Sequence, residues 1–160
     1  MKILHKTLLT DLAAQARSNP RLRQNYNLHA GLDDPCQRLL NAMEPGSYIR
    51  PHRHLTPPKQ EGFVGVRGRL AAFMFDRQGE VIDVALFGPG ESACGVDLPA
   101  GVWHTVVSIE PGSVFYETKT GPYVPIAAED MAPWAPAEGS EGAGKYLESL
   151  VRLAVEQKQG

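Results

Sequence analysis

Three histidines and one glutamate carry the chemistry this sequence can do. His52 and His54 stand one residue apart in SYIRPHRH, and Glu61 follows seven residues after His54 at the head of FVGVRG. His104 lies well downstream, in PAGVWHTVV. Alternate residues of a strand point to the same face, so the first two imidazoles project side by side. Neutral imidazoles and a carboxylate form a natural ligand set for a first-row divalent metal. A single His-x-His arises by accident, but this set engages three of the five histidines in the chain. Three neutral imidazoles and one carboxylate leave a divalent ion with a net charge of about +1, and at six-coordination about two positions stay open. An open site suits catalysis better than a closed structural one. It can polarise a carbonyl, acidify a bound water or, with a redox-active ion, bind O₂. The ligand types admit zinc, iron, manganese or nickel.

Residues near this set supply candidates for the rest of a site. Tyr48 and Arg50 share parity with His52 and His54, although Pro51 can shift that phase. A guanidinium beside the metal would bind a carboxylate or phosphate through its fork; the alternative is a buried pair between Arg50 and Glu117. Phe63, on the parity of Glu61, and Val106, on that of His104, are expected to form apolar wall. Trp103 points the opposite way, into packing. Tyr48, Lys59 and Glu117 are the candidate catalytic bases. Arg50, His29 and Phe63 are the candidate substrate contacts, although His29 also suits a capping role on its loop. His5 belongs to a helix surface.

The elements that must position these groups read as follows. Residues 5–18 form a helix with an apolar stripe of Leu8, Leu9, Leu12 and Ala13, ended by Ser18-Asn19-Pro20. A polar segment with strong turn signals follows. From residue 37 the chain becomes short strands between turns: 37–43, 47–54, 61–67, 70–76, 81–87, 93–99, 102–110 and 114–121. Turn signals at such close and regular spacing indicate an all-β sandwich or barrel. Arg38 and Asn41 have opposite parity on the first strand, so only one can face the interior. A Pro-, Gly- and Ala-rich stretch leads to a final helix at about 144–157, with Leu147, Leu150, Val151 and Ala154 in one stripe.

Composition excludes several classes. A chain of 160 residues fits a single domain with a real core. A formal net charge of −2 offers no basic surface for nucleic acid or membrane, so neither is an expected partner. No apolar run approaches bilayer length. His5, Lys6 and Asp11 interrupt what would have to be a signal-peptide core, and the expected location is the cytoplasm. Cys36 and Cys94 are too few for a disulfide framework and lack the basic neighbours of a reactive thiolate.

As a pattern, Gly46, His52, His54, Glu61 and Gly68, followed by Pro99, Gly101 and His104, resemble the two motifs of the cupin superfamily. The interval between His54 and Glu61 is longer than is usual there. The chain is similar more specifically to the WbuC-type cupin-fold metalloproteins, through NLH (27–29), QRLLNA (37–42), SYIRPHRH (47–54), PAGVWHT (99–105), KTGPY (119–123) and WAP (134–136). The resemblance implies a single-domain double-stranded β-barrel, or jelly roll, flanked by an N-terminal and a C-terminal helix. It implies one divalent metal ion held by His52, His54, Glu61 and His104. The expected segments are 1–22 (helical), 23–126 (barrel) and 127–160 (irregular tail and terminal helix, packed on the barrel or a partner).

The resemblance also implies a link to bacterial polysaccharide biosynthesis, hence a small metalloenzyme of isomerase or epimerase type acting on a sugar-like or carboxylated metabolite. A non-haem iron dioxygenase and a non-catalytic ligand-binding or sensor protein are the alternatives. All three take a small-molecule ligand. Exposed edge strands and an apolar terminal helix leave room for a homodimer.

Overall fold

The computed structural model describes residues 1–156. Its elements are α1 (Lys6–Ser18), β1 (Arg23–Asn27), β2 (Cys36–Met43), β3 (Glu61–Arg67), β4 (Leu70–Phe75), β5 (Val81–Phe87), β6 (Gly95–Leu98), β7 (Trp103–Ser108), β8 (Ser113–Thr120) and α2 (Glu141–Glu156), with a 3-10 turn at Ala128–Asp130 before α2. The strands form two antiparallel sheets, β1-β2-β8-β3-β6 and β5-β4-β7. Both helices match the sequence expectation, except that residue 157 of the second lies outside the described residues.

Strand periodicity decides what each face does. On β3, β7 and β8, one parity carries Phe63, Val106 and Phe115, which meet between the sheets with Met43, Leu70, Ala72, Phe87 and Leu98. Burying each such side chain contributes about 1.5–3 kcal/mol. One pleat further along, the same inward parity carries Glu61, His104, Glu117 and Lys119. The barrel interior is therefore apolar at one end and ionisable at the other. Outward parities are covered by the helices: Leu40, Ala42 and Val114 pack under Leu12 and Ala16 of α1, while Ala71, Phe73, Phe75, Trp103 and Val107 pack under Leu147, Leu150 and Ala154 of α2.

Two elements depart from expectation. Residues 23–27, too polar to read as a strand, pair with β2 from Arg23↔Met43 to Asn27↔Leu39. Edge position explains the composition, since this strand needs few apolar residues. Conversely, residues 47–54 form no regular strand. His52 makes isolated bridges to His104 and Met131, closed by His52 N–H to the His104 carbonyl (3.0 Å) and His104 N–H to the His52 carbonyl (2.8 Å). Pro51 has no N–H to donate, which stops a ladder from running through it. Single bonds hold the segment instead: Thr105 Oγ1 donates to the Ile49 carbonyl, Arg53 N–H to the Asp130 carbonyl, and Ala132 N–H to the Pro51 carbonyl. Gly68 makes the β3–β4 turn at φ +69°, where a Cβ would also collide with Ser113.

Candidate metal centre

Each of the four ligand candidates is placed by an identifiable piece of backbone. His104 sits on β7, and His52 is fixed beside it by the two-bond bridge, with ring centroids 4.6 Å apart. His54 follows two residues on, its ring 5.1 Å from that of His52. Glu61 opens β3, directly across from Lys119 of β8 and Leu98 of β6. One ligand atom from each of His52, His54, Glu61 and His104 lies within 4.8 Å of all the others. That is close to the ~3–4 Å separations that metal–ligand bonds of about 2.0–2.2 Å produce. The long LTPPKQ interval before Glu61 thus loops out without removing the carboxylate from the cluster.

The hydrogen bonding fits a metal ion. Nδ1 of His52 lies 3.0 Å from the Arg50 carbonyl, and Nδ1 of His104 lies 3.0 Å from the Val102 carbonyl. A carbonyl only accepts, so both Nδ1 atoms carry the proton, which leaves Nε2 as the ligand atom of each ring. Nε2 of His54 and of His104 are buried and make no hydrogen bond. They nevertheless lie 3.2 Å and 2.8 Å from the two oxygens of Glu61. Buried nitrogens are rarely left unsatisfied. Two ring nitrogens without hydrogen bonds around one carboxylate, with the His104 and neighbouring His52 rings held from behind at Nδ1, suit a bound divalent ion.

Electrostatics points the same way. Burial first, then the neighbouring His104, pushes His52 down to about 3, against the pull of Glu61, so the ring is neutral. Burial acts to raise the Glu61 carboxyl, but the His104 and His54 rings and the Lys119 ammonium outweigh it and hold it well below the usual range. Burial likewise acts to lower Lys119, and its two carboxylate partners, Glu117 and Glu61, raise it instead. Lys119 Nζ stands 3.1 Å from Glu61 Oε1 and 2.7 Å from Glu117 Oε1. Glu117 Oε2 accepts from Asn41 Nδ2 at 2.6 Å.

A cavity of about 280 Å³ opens onto this cluster. His52, Glu61 and His104 line it together with Phe63, Val106 and Phe115, and Asn25, Asn41, Glu117 and Lys119 lie beside the two phenylalanines on the same sheet. Among the expected catalytic and substrate-contact residues, Phe63 and Glu117 reach it. The others do not. Tyr48 turns into the outer core, its hydroxyl donating to the Pro136 carbonyl at 2.8 Å and its ring edge-on to Tyr146. Burial, the largest influence on it, raises its pKa. Arg50 gives both Nε and Nη2 to the Ala132 carbonyl, at 3.0 Å and 2.6 Å, rather than pairing with Glu117. Without a regular strand through Pro51, the parity linking both residues to His52 does not hold. Lys59 Nζ donates to the Pro122 carbonyl and lines a separate recess behind His54. His29 Nδ1 meets the backbone N–H and carbonyl of Arg38, at 3.0 Å and 2.9 Å.

Sequence reasoning missed Lys119 as a site residue and left the choice between Asn41 and Arg38 open. The signal for Lys119 was its parity with Glu117 two residues earlier, and for Asn41 its parity with Met43 on β2. Asn25 gave no signal, because β1 was not legible as a strand.

A family model described as a domain of unknown function, DUF6016, matches residues 4–87. The chain belongs to the DUF6016 family. The matched span includes His52, His54 and Glu61, while His104 of this DUF6016 member lies beyond it. No curated protein matches the sequence. Among solved structures, the TT1209 protein of Thermus thermophilus is similar with a TM-score of 0.51 and 20% identity, over 75% of this chain and 97% of that one. A mutant of Bacillus subtilis oxalate decarboxylase OxdC gives 0.50 and 14% identity, over 69% of this chain and 28% of the decarboxylase. CapF gives 0.50 and 19% identity, over 63% of this chain and 28% of CapF. These likenesses establish the fold: the two sheets and flanking helices form a cupin jelly roll. Inside that fold, the three-histidine, one-glutamate cluster has the ligand atoms to hold a metal ion. No described helix is long and apolar enough to cross a membrane.

Proposed function

We propose that this chain is a WbuC-type metalloenzyme that isomerises or epimerises a small carboxylated, sugar-like metabolite, in bacterial polysaccharide biosynthesis. The observation that carries the reading is the mixed apolar and polar lining of the cavity over the cluster. Phe63, Val106 and Phe115 can cover a carbon skeleton, while Asn25, Asn41, Glu117 and Lys119, on the same sheet as the two phenylalanines, offer hydrogen-bonding groups. A volume of about 280 Å³ sits at the lower end of small-molecule sites, which run from roughly 300 Å³ upward. That suits a metabolite of monosaccharide size; a nucleotide attached to it would remain outside.

His52, His54, Glu61 and His104 would hold the ion, and a divalent ion there supplies Lewis-acid polarisation of a substrate oxygen. The chain's own groups do the rest. Charge favours an anionic substrate: Arg21 and Arg23 also line the cavity and share the single carboxylate of Glu138. Of the candidate bases, Glu117 is the one at the cavity. Both its oxygens accept hydrogen bonds, from Lys119 and Asn41, so it is oriented as a carboxylate. A proton removed from a substrate carbon would rest on Glu117 and return to the other face or a neighbouring carbon.

The test is to load the purified protein with zinc, then manganese, and incubate it with a panel of sugar acids in D₂O. Deuterium entering one carbon-bound position, and ceasing in Glu117→Gln, is the expected result. Consumption of O₂ by the iron-loaded protein would overturn the reading in favour of a dioxygenase. Tight binding with neither exchange nor turnover would overturn it in favour of a ligand-binding protein.

A further inference from the structure

Lys119 touches the metal cluster through one atom only, Oε1 of Glu61. The antiparallel register places the two residues directly opposite each other on β8 and β3, with Nζ 3.1 Å from that oxygen. The ammonium cannot drift, because Glu117 Oε1 holds it from the other side at 2.7 Å and Asn41 holds Glu117 in turn. Glu61 Oε2 lies 2.8 Å from His104 Nε2, whereas Oε1 has both the ammonium and, at 3.2 Å, His54 Nε2 beside it. The two oxygens of one buried carboxylate are thereby given different partners before any ion arrives. A carboxylate free of such a constraint can bind a metal through one oxygen or through both.

We propose that Lys119 is a positioning residue that reserves Oε1 of Glu61, so that Glu61 offers the metal Oε2 alone and one coordination position stays open for substrate. The inference rests on the reading of the four-residue cluster as a metal centre. It goes beyond that reading by naming the residue that keeps the centre open.

Removing the ammonium has two consequences. It frees Oε1, and it makes the surroundings more negative by one unit, since Glu61 and Glu117 then lack their shared counter-charge. Glu117→Gln combined with Lys119→Met frees Oε1 at the wild-type net charge, so the pair of variants separates position from charge. The probes are Co(II), for affinity and visible spectrum, and azide, for the open position. Wild type is expected to bind one Co(II) per chain and to change its spectrum when azide is added. Lys119→Met should bind Co(II) about tenfold more tightly, the scale of effect that outer-shell groups have on metal affinity. Both Lys119→Met and the double variant should require at least about tenfold more azide for the spectral change.

If the double variant keeps the wild-type azide response and Co(II) affinity, Lys119 does not position Glu61 and the inference fails while the metal centre stands. If wild type itself binds no Co(II), the metal-centre reading fails and takes the inference with it. A crystal structure of the wild-type Co(II) protein reads the same point without any substitution. Oε2 alone on the ion, with Lys119 on Oε1, is the expected result; both oxygens on the ion would overturn the proposal even if neither variant folds.

Discussion

Glu61→Gln separates a ligand from a structural glutamate. The substitution keeps the shape of the side chain and removes its charge, so two effects can be read apart. On the fold, Lys119 loses its 3.1 Å partner but keeps Glu117 at 2.7 Å, so no buried charge is left alone. The cost is then that of one disturbed buried polar contact, about 1–3 kcal/mol, rather than the about 3–5 kcal/mol of an orphaned ion. At about 2–4 °C per kcal/mol for a chain of this size, the metal-free protein should melt a few degrees lower. On the metal, an anionic ligand becomes a neutral amide, and the loss should exceed the 10–100-fold that outer-shell changes cause. Competition with a chromophoric chelator should therefore show zinc affinity at least ~100-fold weaker. Unchanged affinity with a lowered melting temperature would refute the ligand role, and would leave Glu61 as a buried partner of Lys119.

Leu150→Ala empties part of the seam under α2, where Leu150 is 3% exposed, and should cost about 2–5 kcal/mol by denaturant unfolding. Metal stoichiometry should be unchanged, because this seam covers the outer face of β4 and β7, and loss of metal would contradict that layering. Adding metal to about 100 times its dissociation constant should stabilise the wild type by about 2.7 kcal/mol, with no gain in His52→Ala. Glu138 is drawn from its ordinary 4.5 down to about 2 by its bond to Arg21, against opposing burial, and then by Arg23. A depressed carboxyl stabilises the folded state above its unfolded value, so this contribution is present above pH 4.5 and is lost as pH falls towards 2. Glu138→Gln should flatten that part of the stability curve, and an unchanged slope would show that the ion pairs are screened by solvent.

The sequence was most informative where a physical rule acted locally. Turn residues at regular spacing marked the strands, and 3.6-residue periodicity marked both helices. His-x-His spacing marked two candidate ligands, the carboxylate that follows marked the third, and the downstream motif marked the fourth. Parity failed around Tyr48 and Arg50 because it presumes a continuous ladder, and Pro51 breaks that ladder just before His52. β1 was illegible because an edge strand can be almost wholly polar, as RQNYN is. Lys119 was passed over because its meaning comes from its cross-strand partner Glu61, and that register is fixed only once β3 and β8 are paired.

Metal content of the purified protein, measured by elemental analysis beside His104→Ala, tests the central claim most directly. His104 supplies the ligand that only the closed barrel brings to the other three. One equivalent of a divalent transition metal per wild-type chain, and essentially none in a His104→Ala protein with an unchanged circular dichroism spectrum, is the predicted result. A wild-type protein that takes up no metal, or a His104→Ala protein that keeps a full equivalent, would contradict it.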